Sequence, residues 1–179
     1  MINVKNPAVR IQKSRTALLL DHPFFGSLLF RLGGRSSTSI ETMATDGVSL
    51  YYNPSYVETL NAAELAGVLA HEVMHPALQH HTRRGGRNPK RWNMACDYAI
   101  NPLLIDAGLT LPKDVLIDHR FRGMSAEEIY NMIEEQSGPG FLNPDRGICD
   151  VGHDVTTSIY DDMCEKMAST FETVSTIGK

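Results

Sequence analysis

Apolar residues in this chain recur at helical spacing along most of its length and give way to two short β-prone runs around residues 40–52. Residues 7–20 predict a helix beginning near Pro7, with Val9, Ala17, Leu18 and Leu20 among its apolar positions. Phe24 to Leu32 is apolar and stops at Gly33-Gly34, a strong break in regular structure. Ile40 to Thr45 and Val48 to Tyr52 flank Asp46-Gly47, a two-residue hairpin signal, and Asn53-Pro54 ends that unit. Next come Leu65, Val68 and Leu69 with the small Ala66 and Ala70, an amphipathic helix opened by Asn61 and Glu64 in the pattern of a capping box. With no glycine between Pro76 and Gly85-Gly86, this helix is expected to run on past Pro76.

The next helix is expected over about 89–107, with Trp92, Ala95, Cys96, Ala99, Ile100 and Leu103 on its core face and Asn93, Asp97 and Asn101 as a polar line. Gly108 and Leu111-Pro112 close it. Ser125 and Glu128 cap a further helix carrying Ile129, Met132 and Ile133. Residues 137–153 read as a loop or linker, and 154–176 as a last amphipathic helix with Val155, Ile159, Met163, Met167, Phe171 and Val174 on one side. One domain over 1–136, a linker over 137–153 and a C-terminal helix within 154–179 is the expected organisation.

Composition narrows the function classes. A net charge of −4 gives no case for nucleic-acid or anionic-membrane binding. The basic N-terminal residues precede an apolar run, Ala17 to Leu20, too short for a secretory signal, and no stretch is long enough to span a bilayer. Three widely separated cysteines (Cys96, Cys149, Cys164) suit reduced thiols, so a cytoplasmic protein is expected. The cations between Arg83 and Arg91 read as a solvated loop.

The chemistry lies in His71-Glu72-Val73-Met74-His75. On a helix, residues four apart share one face, so both imidazoles can reach a single ion. Two neutral imidazoles suit Zn²⁺, and the intervening Glu72 is placed to take a proton from activated water, which is the His-Glu-x-x-His arrangement of zinc peptidases. A catalytic zinc needs a third protein ligand. His81 has metzincin spacing, but on a continuing helix it points about 100° off the His71–His75 face, and His80 points nearly opposite. His119 sits in a loop with nothing local to support it. Asp97 is better placed, on an antiparallel neighbour helix and flanked by Asn93 and Asn101, which could hold its carboxylate; the plain alternative is a salt bridge to Arg84 or Arg91. Tyr98 and His119 are both open as stabilisers of a developing oxyanion.

The run Ala44-Thr45-Asp46-Gly47, Tyr52-Asn53-Pro54, the motif helix, Arg91 through Asn101 and Ser125 through Tyr130 resembles a metallopeptidase domain of bacterial and phage proteins, over most of residues 15–135. The resemblance implies an α+β, zincin-like fold, with a small antiparallel or mixed sheet packed on the motif helix. In that family a von Willebrand factor A-like domain often follows, which implies such a domain as a missing part or a partner. The expected function is Zn²⁺-dependent hydrolysis of a peptide or protein substrate, with His71, His75 and Asp97 as ligands and Glu72 as general base. The strand Val48–Tyr52 is expected to present the substrate backbone. The rival expectation is a metal-stabilised scaffold or partner-binding domain without turnover.

Overall fold

A computed structural model describes residues 6–136; the expected linker, the C-terminal helix, Cys149 and Cys164 lie outside the described residues. Helix α1 (Pro7–Asp21) starts where Asn6 accepts a hydrogen bond from Ala8 N at 2.9 Å and Pro7 occupies the first turn. His22-Pro23 breaks the chain into α2 (Pro23–Leu29), which folds back onto α1. Gly26 permits that approach, because a Cβ there would lie 2.3 Å from Leu19 Cα.

The sheet has three strands: β1 (Gly33–Ser36), β2 (Met43–Thr45) and β3 (Ser49–Tyr52). Its order is β1-β3-β2, with β3 parallel to β1 and antiparallel to β2. The expected hairpin is present in shortened form. Gly47 takes φ +81° at its tip, and the Asp46 carboxylate accepts from Val48 N at 2.9 Å. Strand β1 was not expected, since Gly33-Gly34 reads as a break and all four of its residues are exposed, leaving no alternation to detect. The expected role of Val48–Tyr52 is overturned. Strand β3 is central and bonded on both sides, so its backbone has no free edge to offer. The strand at the sheet's edge beside the motif helix is β2.

Asn53 caps a short helix, α3 (Pro54–Thr59), before the motif helix α4 (Ala62–Ala77). The capping box is complete: Asn61 Oδ1 accepts from Ala63 N and Glu64 N, and Glu64 Oε2 accepts from Asn61 N, each at 2.9 Å. Leu65, Val68, Leu69, Ala70 and Val73 of α4 fill the main core with Leu18, Leu29, Met43, Leu50, Val57, Ile100 and Leu104. Burying each of the larger side chains contributes about 1.5–3 kcal/mol, so α4 is held more by packing than by helix propensity. Gly67 lets the distant segment around Thr110 cross α4, for a Cβ there would sit 2.0 Å from the Thr110 carbonyl oxygen.

Helix α4 does not run on to Gly85. It ends at Ala77 with Leu78 as its C-cap, and Gln79 turns left-handed at φ 55°, ψ 34° before the single turn α5 (His80–Arg83). Pro76 lacks the N–H that would bond the Glu72 carbonyl, which loosens the last turn. Helix α6 (Pro89–Asp106) is capped by Asn88 and continues through Pro102. It lies between α4 and α7 (Ala126–Gln136). Trp92, Ala95, Cys96, Phe121, Ile129, Tyr130 and Ile133 form a second core on its far side. Leu103, expected in the core, is 47% exposed, and Leu104 takes that place. The cationic stretch is not simply solvated: Arg83 pairs with Glu127, and Arg87 lies over the rings of Trp92 and Tyr130 at 5.0 and 5.7 Å.

Candidate metal centre

Helix periodicity puts His71 and His75 on the face of α4 that meets α6, and the capping box and Gly67 fix how α4 sits. From α6, Asp97 projects into the same space. His71 Nε2 and His75 Nε2 are 3.0 Å apart, and they lie 3.3 and 3.5 Å from Asp97 Oδ1. One ligand atom from each of the three falls within 4.8 Å of the others. His71 and Asp97 are fully buried, and His75 is nearly so. The expected trio is therefore brought together, and Asp97 faces the imidazoles instead of forming a salt bridge to Arg84 or Arg91.

The hydrogen bonds around the trio decide what it can hold. Asn101, one turn after Asp97, donates its amide to the Leu116 carbonyl at 2.9 Å, which aims its Oδ1 at His71 Nδ1, 2.8 Å away. His71 Nδ1 must carry the proton of that bond, leaving Nε2 with a lone pair. Both oxygens of Asp97 are buried without an aligned hydrogen-bond donor. The His71 Nε2 lone pair and both carboxylate oxygens of Asp97 thus meet at one dry point beside His75 Nε2. That is costly without a cation, and imidazole nitrogens with a carboxylate oxygen match the donor set of Zn²⁺. The residues fit a metal. Asn101 was expected to hold Asp97; it holds His71 instead.

Electrostatics agree. Burial pushes the His71 pKa down, but Asp97, with help from Glu72 and Asn101, outweighs it and leaves the value raised. Burial pushes Asp97 up, and the two histidines outweigh that and hold it below the usual carboxylate range. The pocket favours positive charge against Asp97, whether protons or a metal ion. Glu72 is 1% exposed on the same turn of α4.

His80 is the buried neighbour of the site that helical extrapolation misses. The left-handed Gln79 brings it back under α4, where it is 3% exposed with Nδ1 3.3 Å from His75 Nδ1. Burial, then the positive potential of His75 and Arg83, push its pKa down to about 2, so it stays neutral. Pro76 in the last turn was the available sign that the helix would stop early. His75, His80 and Cys96 form a second close group, in which burial and then Asp97 push the Cys96 thiol pKa up. His81 is half-buried and belongs to neither group, and His119 is exposed on a 3₁₀ turn beside the Asp118–Arg120 ion pair. Tyr98 packs against Phe121, with ring centroids 4.9 Å apart.

Residues 7–158 match a family described as "Putative metallopeptidase domain", and the chain belongs to that family. A protein of Thermotoga maritima, described as "Uncharacterized protein", is 37% identical over 76 residues; the match covers 41% of this chain and only 19% of that relative. No solved structure matches the chain. The fold is α+β, as the zincin resemblance implied. Among the described residues no helix is long and apolar enough to cross a membrane.

Proposed function

We propose that this domain is a zinc-dependent peptidase, with His71, His75 and Asp97 as the ligands. The observation that carries the proposal is the convergence of His71 Nε2, His75 Nε2 and Asp97 Oδ1, with no hydrogen-bond donor aligned on the carboxylate. When bound, Zn²⁺ would supply Lewis acidity toward water and the scissile carbonyl. Glu72 follows a ligand directly on α4, about 100° round the helix from His71, so its carboxylate would act as a base toward water rather than as a third α4 ligand. Its carboxylate takes the proton from the attacking water and delivers it to the leaving amine. Asn101 fixes the His71 ring and its tautomer. The edge of β2 beside α4 is the strand that supports binding of an extended peptide by main-chain hydrogen bonds, with the substrate a peptide or protein. The cytoplasm and a von Willebrand factor A-like partner or further domain belong to the same proposal.

The second reading, a metal-stabilised binding domain without turnover, is favoured by burial: Glu72 and His75 are 1% and 5% exposed, as in closed structural sites. Against it, a structural site has no use for Glu72. Elemental analysis should find one zinc per chain, falling to background in His75→Ala, and a chelator should stop cleavage of an unstructured protein by wild type. Equal metal in both proteins would remove the site from the account.

A further inference from the structure

The motif explains His71, Glu72 and His75, and Asp97 completes the converging atoms, but His80 is left over. Its placement is strongly determined. Gln79 adopts the left-handed region, which a non-glycine residue takes only when its surroundings require it. Trp92 Nε1 donates to the His80 carbonyl at 2.8 Å, and the indole packs edge-on against the His80 ring at 6.1 Å. The His80 and His75 rings stand 76° apart with their Nδ1 atoms 3.3 Å from each other.

Two ring nitrogens in such contact share a single proton. With the proton on His80 Nδ1, His75 would be left to carry its own on Nε2, which would block that atom as a ligand. With the proton on His75 Nδ1, the His75 Nε2 lone pair faces His71 Nε2 and Asp97. We infer that His80 is the positioning residue for His75: its Nδ1 accepts the His75 Nδ1 proton and thereby fixes the His75 ring and its tautomer for metal binding. His80 thus does for His75 what Asn101 does for His71. The inference rests on the zinc-site reading above and adds a residue outside the His-Glu-x-x-His pattern to it.

The test is the Zn²⁺ dissociation constant of the full chain, measured by competition with a chelator, in wild type, His75→Ala, His80→Phe and His80→Asn. Phe keeps an aromatic ring against Trp92 but offers no acceptor, and binding should weaken about 10- to 100-fold. Asn puts an amide oxygen near the lost Nδ1 and should recover most of that loss. Binding by His80→Phe within about twofold of wild type, with His75→Ala still unable to bind, would overturn the role of His80 while leaving the metal site standing. Equal weakening in the Phe and Asn variants would overturn it too, by showing that only packing matters. Wild type that binds no zinc would instead bring down the site itself. Nitrogen NMR of zinc-loaded wild type reads the tautomer without any substitution: the inference expects the proton on His75 Nδ1, and a proton on His80 Nδ1 would refute it.

Discussion

Asp97→Asn removes one charge from the centre of the site while conserving shape. The carboxylate oxygen lies 3.3 and 3.5 Å from two imidazole nitrogens, with no solvent exposure. At an effective dielectric of about 20, a unit charge at that separation interacts by roughly 5 kcal/mol before the cost of desolvation is subtracted. Desolvation cancels much of this. If about 1.4 kcal/mol survives, zinc affinity falls tenfold, and the weaker donor strength of a neutral amide oxygen makes that a lower bound. The proton equilibrium supplies a second, metal-free readout. In the native protein burial lowers the His71 pKa, and Asp97, together with Glu72 and Asn101, outweighs it and raises the value. In Asp97→Asn burial should prevail, and the His71 pKa should drop below its ordinary value. Chelator competition measures the first effect and NMR titration of the imidazole protons the second. Affinity within twofold of wild type together with an unmoved His71 titration would refute the reasoning. A larger loss in His81→Ala than in Asp97→Asn would mean that the metzincin-like ligand is the correct one.

Gly67→Ala should destabilise the fold by at least about 1–3 kcal/mol, because its Cβ would sit 2.0 Å from the Thr110 carbonyl oxygen; a urea midpoint equal to wild type would contradict that close crossing. Burial raises the Glu127 pKa, but Arg83 outweighs it and holds the carboxyl low, so this pair should stabilise the fold above the unfolded Glu pKa of about 4.3 and lose its effect as pH falls through the lower folded value. Both side chains are about one-third exposed, so the contribution should stay under about 1 kcal/mol; a stability difference between wild type and Glu127→Gln that failed to shrink on acidification would count against the pairing.

The helices were legible wherever packing, caps and local propensity agreed. Asn61 with Glu64, Pro89 after Asn88, and Ser125 with Glu128 each marked a helix start that the fold uses. The converging trio was legible as well, because i, i+4 spacing on α4 and the polar line on α6 are both helical-face arguments. What escaped depended on tertiary context. Strand β1 is exposed and begins with two glycines, so only its pairing with β3 makes it a strand. That pairing moves β3 from the edge to the centre of the sheet. The early end of α4 turns on a left-handed Gln79, a residue with no propensity for that conformation, and the placement of His80 follows from it. Asn101 lay on the expected face, but whether it would hold Asp97 or His71 depends on the Leu116 carbonyl, which comes from a distant loop.

The most direct test of the central claim is Glu72→Gln, assayed for bound zinc and for hydrolysis of an unstructured protein. The substitution keeps size and helix propensity and removes only the base. The account predicts that zinc and fold are retained while hydrolysis falls by at least about 10²-fold. Unchanged hydrolysis in the variant, or zinc-loaded wild type that cleaves nothing, would contradict the peptidase reading and leave a metal-stabilised binding domain in its place.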